Sequence, residues 1–302
     1  MRIAIIGGGV TGLFAVRELK ARAPGAEVRL FEAASRVGGL VTTRWADGFL
    51  LEEGPSSLRG GAHLVSALEQ AGAGAELVLA PAKAPRFVWR AGKLRRAPGA
   101  SIVSPLGMAR ALLEPIMARR PVNGNEPTLE ALFEQHFGRE AGRLGARLAA
   151  NGIYAGDPSA LSAAAALPRR WSALGSRRTM LGAMRLQSRA QRESGAPTSI
   201  WSLRTGLGGL PARLAAAHIA DISLGARIES MGAQQGGWAV AGHGRFDAVV
   251  MALPAYAAAA VVREASPSIA RQLDEVSYAP VAIVHLGYAD TALPRRPQGF
   301  GF

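Results

Sequence analysis

The feature that most constrains the fold is a glycine-rich turn close to the start of the chain. The run from Arg2 to Ile6 is short, apolar and rich in isoleucine, which is typical of a β-strand, and Gly7-Gly8-Gly9-Val10-Thr11-Gly12 follows it directly. Apolar residues with helical spacing come next. This order predicts a strand, a turn and a helix: Gly7 allows the turn, Gly9 lets the backbone approach a phosphate, and Gly12 allows close packing of the helix.

The same turn predicts a binding site for the diphosphate of a dinucleotide. Unpaired N–H groups and the positive end of the helix dipole attract phosphate to a helix N-terminus. A second predicted strand, Glu27 to Phe31, brings Glu32 to a position 20 residues after Gly12, where a carboxylate binds ribose hydroxyls. A glycine turn alone is weak evidence, but here the strand, the helix and the acid are all in register.

Glycines beyond the ribose acid favour a flavin over a nicotinamide. The segment Glu32-Ala33-Ala34-Ser35-Arg36-Val37-Gly38-Gly39 adds a second glycine pair and a cation that can face a phosphate, and Glu53-Gly54-Pro55-Ser56-Ser57 follows. Both segments resemble the FAD-binding N-terminus of the flavin amine oxidase superfamily. The resemblance implies FAD as the cofactor, bound by Gly7, Gly9, Val10, Thr11, Gly12, Glu32, Ala33, Arg36, Gly38, Gly39, Gly54, Pro55, Ser56 and, through its backbone, Ile228. The alternative for Ile228 is a plain strand residue.

A later segment narrows the resemblance to the porphyrinogen oxidases of that superfamily. Asn151-Gly152-Ile153-Tyr154-Ala155-Gly156-Asp157-Pro158 is similar to the Gly-Val-Tyr-Ala-Gly-Asp-Pro segment that marks them. The resemblance implies oxidation of protoporphyrinogen IX to protoporphyrin IX with FAD and O2, a reaction for which the flavin carries the chemistry. We therefore assign no catalytic acid or base. The alternatives are coproporphyrinogen III as substrate, an amine oxidase, a carotenoid desaturase, or a module that binds FAD without turnover.

The resemblance also implies residues that bind the substrate. Arg86, in Pro85-Arg86-Phe87-Val88, matches a propionate-binding arginine of the family, and a planar guanidinium suits a carboxylate. Its alternative is a surface arginine before a hairpin. Gly152, Ala155 and Gly156 would form a wall against the macrocycle, or else merely shape a turn.

The predicted fold class is α/β, with a FAD-binding Rossmann-like parallel sheet into which a helical and mixed-sheet substrate domain is inserted. The predicted pieces are 1–84 and 198–270 for the FAD domain, 85–197 for the inserted domain, and 271–302 for an incomplete substrate-domain strand near Tyr278 to Tyr288. The mostly apolar run Phe246 to Ala252 predicts a buried parallel strand. Further strands are predicted at Ser223 to Met231 and Trp238 to Ala241, a hairpin around Ala91-Gly92, and a helix over Thr128 to His136. Because family members run further, we expect this chain to be a fragment.

Charge and composition limit the kinds of partner and location that this chain can have. The net charge of +13 is almost all due to arginine, part of it in short groups such as Arg95-Arg96 and Arg169-Arg170. Such a charge suits either an anionic membrane surface or a solvated face, and no interleaved aromatics suggest nucleic acid. The absence of cysteine excludes thiolate chemistry, and five scattered histidines predict no metal site. The start of the chain leaves no room for a signal peptide, and no apolar run reaches the ~20 residues of a membrane span. We expect a cytoplasmic location, peripheral on the cytoplasmic membrane as one alternative, and a homodimer stays open.

Overall fold

The computed structural model describes residues 1–81, 84–97, 102–117, 126–152, 154–176, 179–193, 199–293 and 299–301. The chain divides into two compact units. The first contains Met1–Ala80, Ser199–Tyr278 and Ile283–Gly287, and the second contains Pro81–Thr198, Ala279–Ala282 and Tyr288–Phe302. The chain therefore leaves the first unit after Ala80 and returns to it at Ser199. The domain boundaries given above, at residues 84, 197 and 270, stay predictions.

The first stretch of the first unit begins with the predicted strand, turn and helix. In chain order it contains β1 (Arg2–Ile6), α1 (Val10–Arg22), β2 (Glu27–Phe31), β3 (Thr43–Ala46), β4 (Phe49–Glu52), β5 (Leu58–Gly60), α2 (Ala62–Gln70) and β6 (Leu77–Leu79). The hairpin of β3 and β4 turns at Asp47 and Gly48, which both have positive φ, 51° and 79°. Such a turn matches the twist of the flanking strands.

The second unit opens with a hairpin and continues as helices. It contains β7 (Arg86–Arg90), β8 (Lys93–Ala97), α3 (Pro105–Leu112), α4 (Glu114–Met117), α5 (Leu129–Phe137), α6 (Arg139–Asn151), α7 (Ala163–Ala166), α8 (Pro168–Ser176) and α9 (Met180–Glu193). The predicted hairpin is confirmed, with positive φ at both Ala91 and Gly92. The predicted helix is confirmed as α5, which Thr128 caps by accepting a hydrogen bond from the Ala131 N–H.

The returning stretch completes the first unit. It contains β9 (Ser199–Leu203), α10 (Gly209–Ala216), β10 (Ile222–Ser223), β11 (Met231–Gln234), β12 (Gly237–Val240), β13 (Gly244–Phe246), β14 (Ala248–Met251), α11 (Ala255–Val262) and α12 (Pro267–Asp274). A last strand, β15 (Phe300–Gly301), pairs with β7 in the second unit. None of the helices in the described ranges is long and apolar enough to cross a lipid bilayer.

The main sheet of the first unit is parallel, in the order β10, β2, β1, β14, which confirms the predicted α/β fold. Both faces of this sheet are covered. Successive side chains of β1 point to opposite faces, so each face receives alternate residues of the strand. Ile3 and Ile5 pack with α1 and α10, while Ala4 and Ile6 pack with residues of β11, β12 and β13. The core of the second unit lies among α5, α6 and α9.

Three strand predictions differ from the structure. The parallel strand predicted over residues 246–252 is found only at 248–251, as β14, and its side chains are half-buried. Phe246 instead ends β13, which belongs to an antiparallel sheet. The single strand predicted over 223–231 is wrong. The chain turns at Gly225, whose φ is +67°, and its N–H bonds to Ala34 O, so β10 and β11 belong to different sheets.

The segment from Tyr278 to Tyr288, where a substrate-domain strand is predicted, forms no strand in the part of the chain that the structure describes. Val281, Val284 and Leu286 in this segment are exposed. A strand needs a neighbouring strand to pair its backbone N–H and C=O groups. Apolar β-branched composition alone does not supply that neighbour.

Candidate dinucleotide and substrate sites

The glycine turn between β1 and α1 is shaped by close backbone contacts. Gly7 has a φ of +111°, and a Cβ there would lie 2.4 Å from Ala252 O. A Cβ at Gly12 would lie 1.9 Å from Gly7 O, so the helix can approach the turn only without a side chain. Gly9 differs, because no atom lies within 4 Å of the place its Cβ would take. The fold thus requires Gly7 and Gly12, while Gly9 leaves open space beside the turn.

The N-terminus of α1 is free to receive an anion. Gly9 is the N-cap, no side chain caps the helix, and its first turn carries no acidic residue. Val10 is half-buried and Thr11 is exposed at this end. Uncapped N–H groups and the positive end of the helix dipole lie next to the open space at Gly9, an arrangement that fits a diphosphate.

Glu32 lies at the end of β2, beside the turn. Its Oε2 accepts a hydrogen bond from the Gly8 N–H at 2.7 Å, and its Oε1 accepts one from the Ala34 N–H at 2.7 Å. These two bonds orient the half-buried carboxylate and leave lone pairs for further donors, as ribose hydroxyls would be. Ala33, which lies between Glu32 and Ala34 in the sequence, is exposed.

The second glycine pair lies directly against the first turn. The Gly38 N–H donates to Gly8 O at 2.8 Å, and Gly38 pairs with Gly9 in a parallel bridge. A Cβ at Gly39 would lie 3.3 Å from the Gly9 Cα. The two glycine segments that sequence analysis assigns to FAD therefore form one continuous backbone surface.

Arg36 is exposed and lies over its own loop. Its guanidinium donates to Gly39 O at 3.0 Å, to Thr42 Oγ1 at 2.7 Å and to Val37 O at 3.2 Å. These contacts hold the loop that carries the second glycine pair. The phosphate contact of Arg36 stays a prediction.

The remaining cofactor residues fall into two groups. A Cβ at Gly54 would lie 1.9 Å from Leu40 O, so this glycine joins the second glycine loop. Pro55 and Ser56 follow it and are exposed. Ile228, in contrast, is buried in the core with Phe31, so only its backbone is available to a cofactor.

The predicted substrate residues all lie in the second unit. Arg86 is exposed at the start of β7 and has no carboxylate partner among the described residues. Gly152 has an ordinary helical φ of −73°, and a Cβ at Gly156 would meet only the Leu161 side chain, at 3.5 Å. Ala155 has a φ of +49°. Packing therefore does not demand glycine at position 156, and backbone conformation does not demand it at position 152.

The residues around this segment have structural contacts. The Tyr154 hydroxyl donates to Ala166 O at 2.6 Å. The Ser159 N–H donates to Asp157 Oδ1 at 2.9 Å, and this bond lowers the pKa of the Asp157 carboxyl below its ordinary value. Asp157 thus holds the turn that follows the segment.

A buried network that was not predicted above joins the β3–β4 hairpin to the turn before α10. Glu52 accepts hydrogen bonds from the Thr43 hydroxyl and from the Leu207 N–H. A signal for it is present in the sequence, since the turn at Asp47-Gly48 places Thr43 opposite Glu52. A second buried pair, Glu114 and His136 in the second unit, carries no such signal, because its two residues lie on separate helices.

The chain is similar in sequence to known proteins. The flavin containing amine oxidoreductase family matches residues 10–301. Protoporphyrinogen oxidase 1 of Arabidopsis thaliana is 30% identical over 96% of this chain and 59% of its own length. The protoporphyrinogen oxidase of Oryza sativa is 29% identical over 98% of this chain and 62% of its own. The chain thus spans about three fifths of the curated relatives it matches.

A solved structure agrees with this assignment. A protein of Exiguobacterium sp. 255-15 that is assigned only provisionally as a protoporphyrinogen oxidase superposes with a TM-score of 0.70 at 25% identity. The superposition covers 91% of this chain and 63% of that one. The chain belongs to the flavin containing amine oxidoreductase family, and its cofactor is FAD.

Proposed function

We propose that this chain belongs to an enzyme that oxidises protoporphyrinogen IX to protoporphyrin IX, with FAD as cofactor and O2 as electron acceptor, in porphyrin and heme biosynthesis. The observation that carries the proposal is the similarity to plant protoporphyrinogen oxidases over nearly the whole chain. The proposal concerns the whole enzyme, since the chain spans about three fifths of those relatives.

The reaction removes six hydrogens from the macrocycle and reduces three O2 molecules to three H2O2. FAD, when bound, supplies the hydride acceptor and returns the electrons to O2. The protein's part is to hold both molecules and to position the carbon that loses hydride. The glycine loops and Glu32 serve the cofactor. Arg86 pairs with a propionate, and the segment from Gly152 to Gly156 lies against the macrocycle.

The glycines of that segment support the substrate assignment. The fold itself tolerates a Cβ at Gly156, and Gly152 has a φ that any residue adopts. A flat ligand against the backbone would supply the missing reason for two glycines.

An absorbance spectrum of the purified enzyme that contains this chain tests the function. Protoporphyrinogen IX is added without oxygen, and we expect the flavin bands to bleach while the porphyrin Soret band grows. Parallel addition of coproporphyrinogen III distinguishes the two substrates by their rates of bleaching. Once the flavin has bleached, admitting O2 should reoxidise it and produce peroxide. Flavin that stays oxidised with both porphyrinogens would contradict the proposal and indicate a module that binds FAD without turnover.

Replacing Arg86 with alanine is expected to raise the KM for protoporphyrinogen roughly 10- to 100-fold, the scale of one lost charge-assisted bond, with a smaller change in kcat. Arg86→Lys should fall between, because an ammonium cannot bind a carboxylate in bidentate geometry. The matched control is Arg96→Ala, an exposed arginine on the neighbouring strand. Steady-state kinetics measure all three, and an unchanged KM in Arg86→Ala would rule out the propionate contact.

Membrane attachment rests first on the distribution of charge. The second unit carries 21 of the 35 basic residues and eight of the 22 acidic ones, so the first unit has 14 of each. The whole net charge of +13 therefore belongs to the second unit. A uniformly solvated protein has no need of such segregation, whereas an anionic lipid surface attracts one basic unit.

The same unit exposes an apolar surface on α3 and α4. Leu106 and Ile116 are each 82% exposed, and Leu112 is 70% exposed. A cluster of exposed large apolar side chains on a basic unit suits the boundary between headgroups and acyl chains. We infer a peripheral location on the cytoplasmic membrane through these helices.

Replacing Leu106 and Ile116 together with serine is expected to weaken binding to vesicles of anionic phospholipid by roughly tenfold or more, since two apolar side chains no longer leave water. Ile269→Ser, at an exposed isoleucine of the first unit, is the control. Vesicle sedimentation measures binding, and equal binding by both proteins would contradict attachment through α3 and α4. Light scattering of the unbound protein distinguishes a monomer from the homodimer that the sequence leaves open.

A further inference from the structure

A buried carboxylate links the turn before α10 to the hairpin of β3 and β4. Glu52, Glu114 and His136 are the buried polar or charged residues in the described ranges. Glu52 ends β4 and is only 9% exposed. A buried carboxylate is costly unless its oxygens receive hydrogen bonds, so its partners indicate what it holds in place.

The partners of Glu52 are one hydroxyl and one backbone amide. Its Oε2 accepts from the Thr43 hydroxyl at 2.6 Å, and its Oε1 accepts from the Leu207 N–H at 2.8 Å. The Thr43 hydroxyl oxygen in turn accepts from the Gly208 N–H at 2.7 Å. Two adjacent side chains of one hairpin thus hold two successive amides of one turn.

The turn fits against the hairpin only because it carries glycines. Gly206 has a φ of +91°, and a Cβ there would lie 2.3 Å from the Thr43 Cγ2. A Cβ at Gly208 would lie 2.4 Å from the Thr43 backbone N. Close contact and four hydrogen-bonded polar groups join the turn to the hairpin here, and we call this contact the Thr43–Glu52 joint.

The joint connects to the glycine loops through α10 and through the chain after β4. In α10, Pro211 occupies the space next to Gly38, where a Cβ would lie 2.7 Å from the Pro211 Cγ. On the other side, the Glu53 N–H donates to Thr42 O, and Gly54 lies against Leu40 O. The second glycine loop, which contacts the first glycine turn, is therefore held from two sides by elements next to the hairpin.

We propose that Glu52, acting with Thr43, is a positioning residue for FAD: it holds the turn at Leu207 and Gly208, and thereby α10 and the second glycine loop, against the dinucleotide site. This inference rests on the FAD-dependent function proposed above. Glu52 does not touch the cofactor. Its loss leaves the Leu207 N–H without an acceptor and loosens the loops that form the site.

The test uses the full chain, with FAD affinity and hydrogen exchange as readouts. Glu52→Gln keeps the volume but cannot accept from both donors, and Thr43→Val removes the hydroxyl without changing charge. For both variants we expect the Kd for FAD to rise roughly tenfold, which is the scale of one lost hydrogen bond to a charged acceptor. For the same reason we expect the amide hydrogens of peptide 204–210 to exchange roughly tenfold faster. Thr43→Ser should retain most of the affinity.

The matched control is Glu53→Gln. Glu53 is the next residue, it is exposed, and it pairs with Arg44 at 2.6 Å. FAD affinity and exchange should both stay at the wild-type level. A wild-type Kd in Glu52→Gln and Thr43→Val would overturn the inference, and so would unchanged exchange of peptide 204–210. If Glu52→Gln does not fold, Thr43→Val and Thr43→Ser decide. Failure of the wild-type chain to bind FAD would instead refute the proposed function itself.

Discussion

Replacing Gly9 with alanine is expected to yield a folded protein that binds FAD roughly 100-fold more weakly, a loss equivalent to about 2.7 kcal/mol. No atom of the chain lies within 4 Å of the new methyl group, so the apoprotein should keep its stability. The methyl group would instead occupy the space through which the diphosphate approaches the N-terminus of α1. Titration of the apoprotein with FAD measures the affinity, and thermal melting without FAD measures the stability.

Two other glycines are controls for this prediction. At Gly12 the same substitution would place a Cβ 1.9 Å from Gly7 O, so Gly12→Ala should lower the melting temperature itself. Gly25→Ala, where the Cβ also meets open space, should change neither property. Wild-type FAD affinity in Gly9→Ala would show that the diphosphate does not bind at this turn.

The second large effect is expected on stability, from Glu114→Ala in the helical unit. Glu114 and His136 are both fully buried, and their Oε1 and Nδ1 atoms are 2.7 Å apart. The same Oε1 accepts from the Met180 N–H at 2.6 Å, so one carboxylate joins α4, α5 and α9. Its removal leaves a buried imidazole and a buried amide without their partner. We expect the free energy of unfolding to fall by about 3–5 kcal/mol.

A half-buried ion pair between α5 and α6 is the control. Glu134 pairs with Arg143, and their side chains are 30% and 41% exposed. Because water screens such a pair, Glu134→Ala should cost no more than about 1 kcal/mol. Urea denaturation followed by circular dichroism measures both variants. Equal losses would show that the Glu114–His136 pair contributes nothing beyond a surface ion pair.

Local patterns predicted the elements whose chemistry is local. The glycine turn, α1 and Glu32 follow from adjacent residues, because tight turns and helix starts depend on the residues that form them. The hairpin at Ala91-Gly92 and the helix capped by Thr128 were predictable for the same reason. The sequence also carried the family resemblance, which the match over residues 10–301 confirmed.

Long-range contacts decided what the patterns could not. The residues around Gly225 favour a strand in sequence, but the chain turns at Gly225 because its N–H donates a hydrogen bond to Ala34 O. The Arg36 guanidinium donates hydrogen bonds to Gly39 O and Thr42 Oγ1, because the loop brings these atoms next to it. Residues 278–288 have the composition of a strand but no neighbouring strand among the described residues.

The residues alone are enough to predict a dinucleotide-binding start and an inserted region of different character in this chain. Strand, turn and helix signals lie within a few residues of one another, so they can be recognised without knowledge of the fold. The burial of Glu52 and Glu114, and the amides that they hold, follow from three-dimensional packing. Burial and hydrogen-bond partners depend on residues 66 positions apart for Glu114 and 155 apart for Glu52, and packing alone brings those residues together.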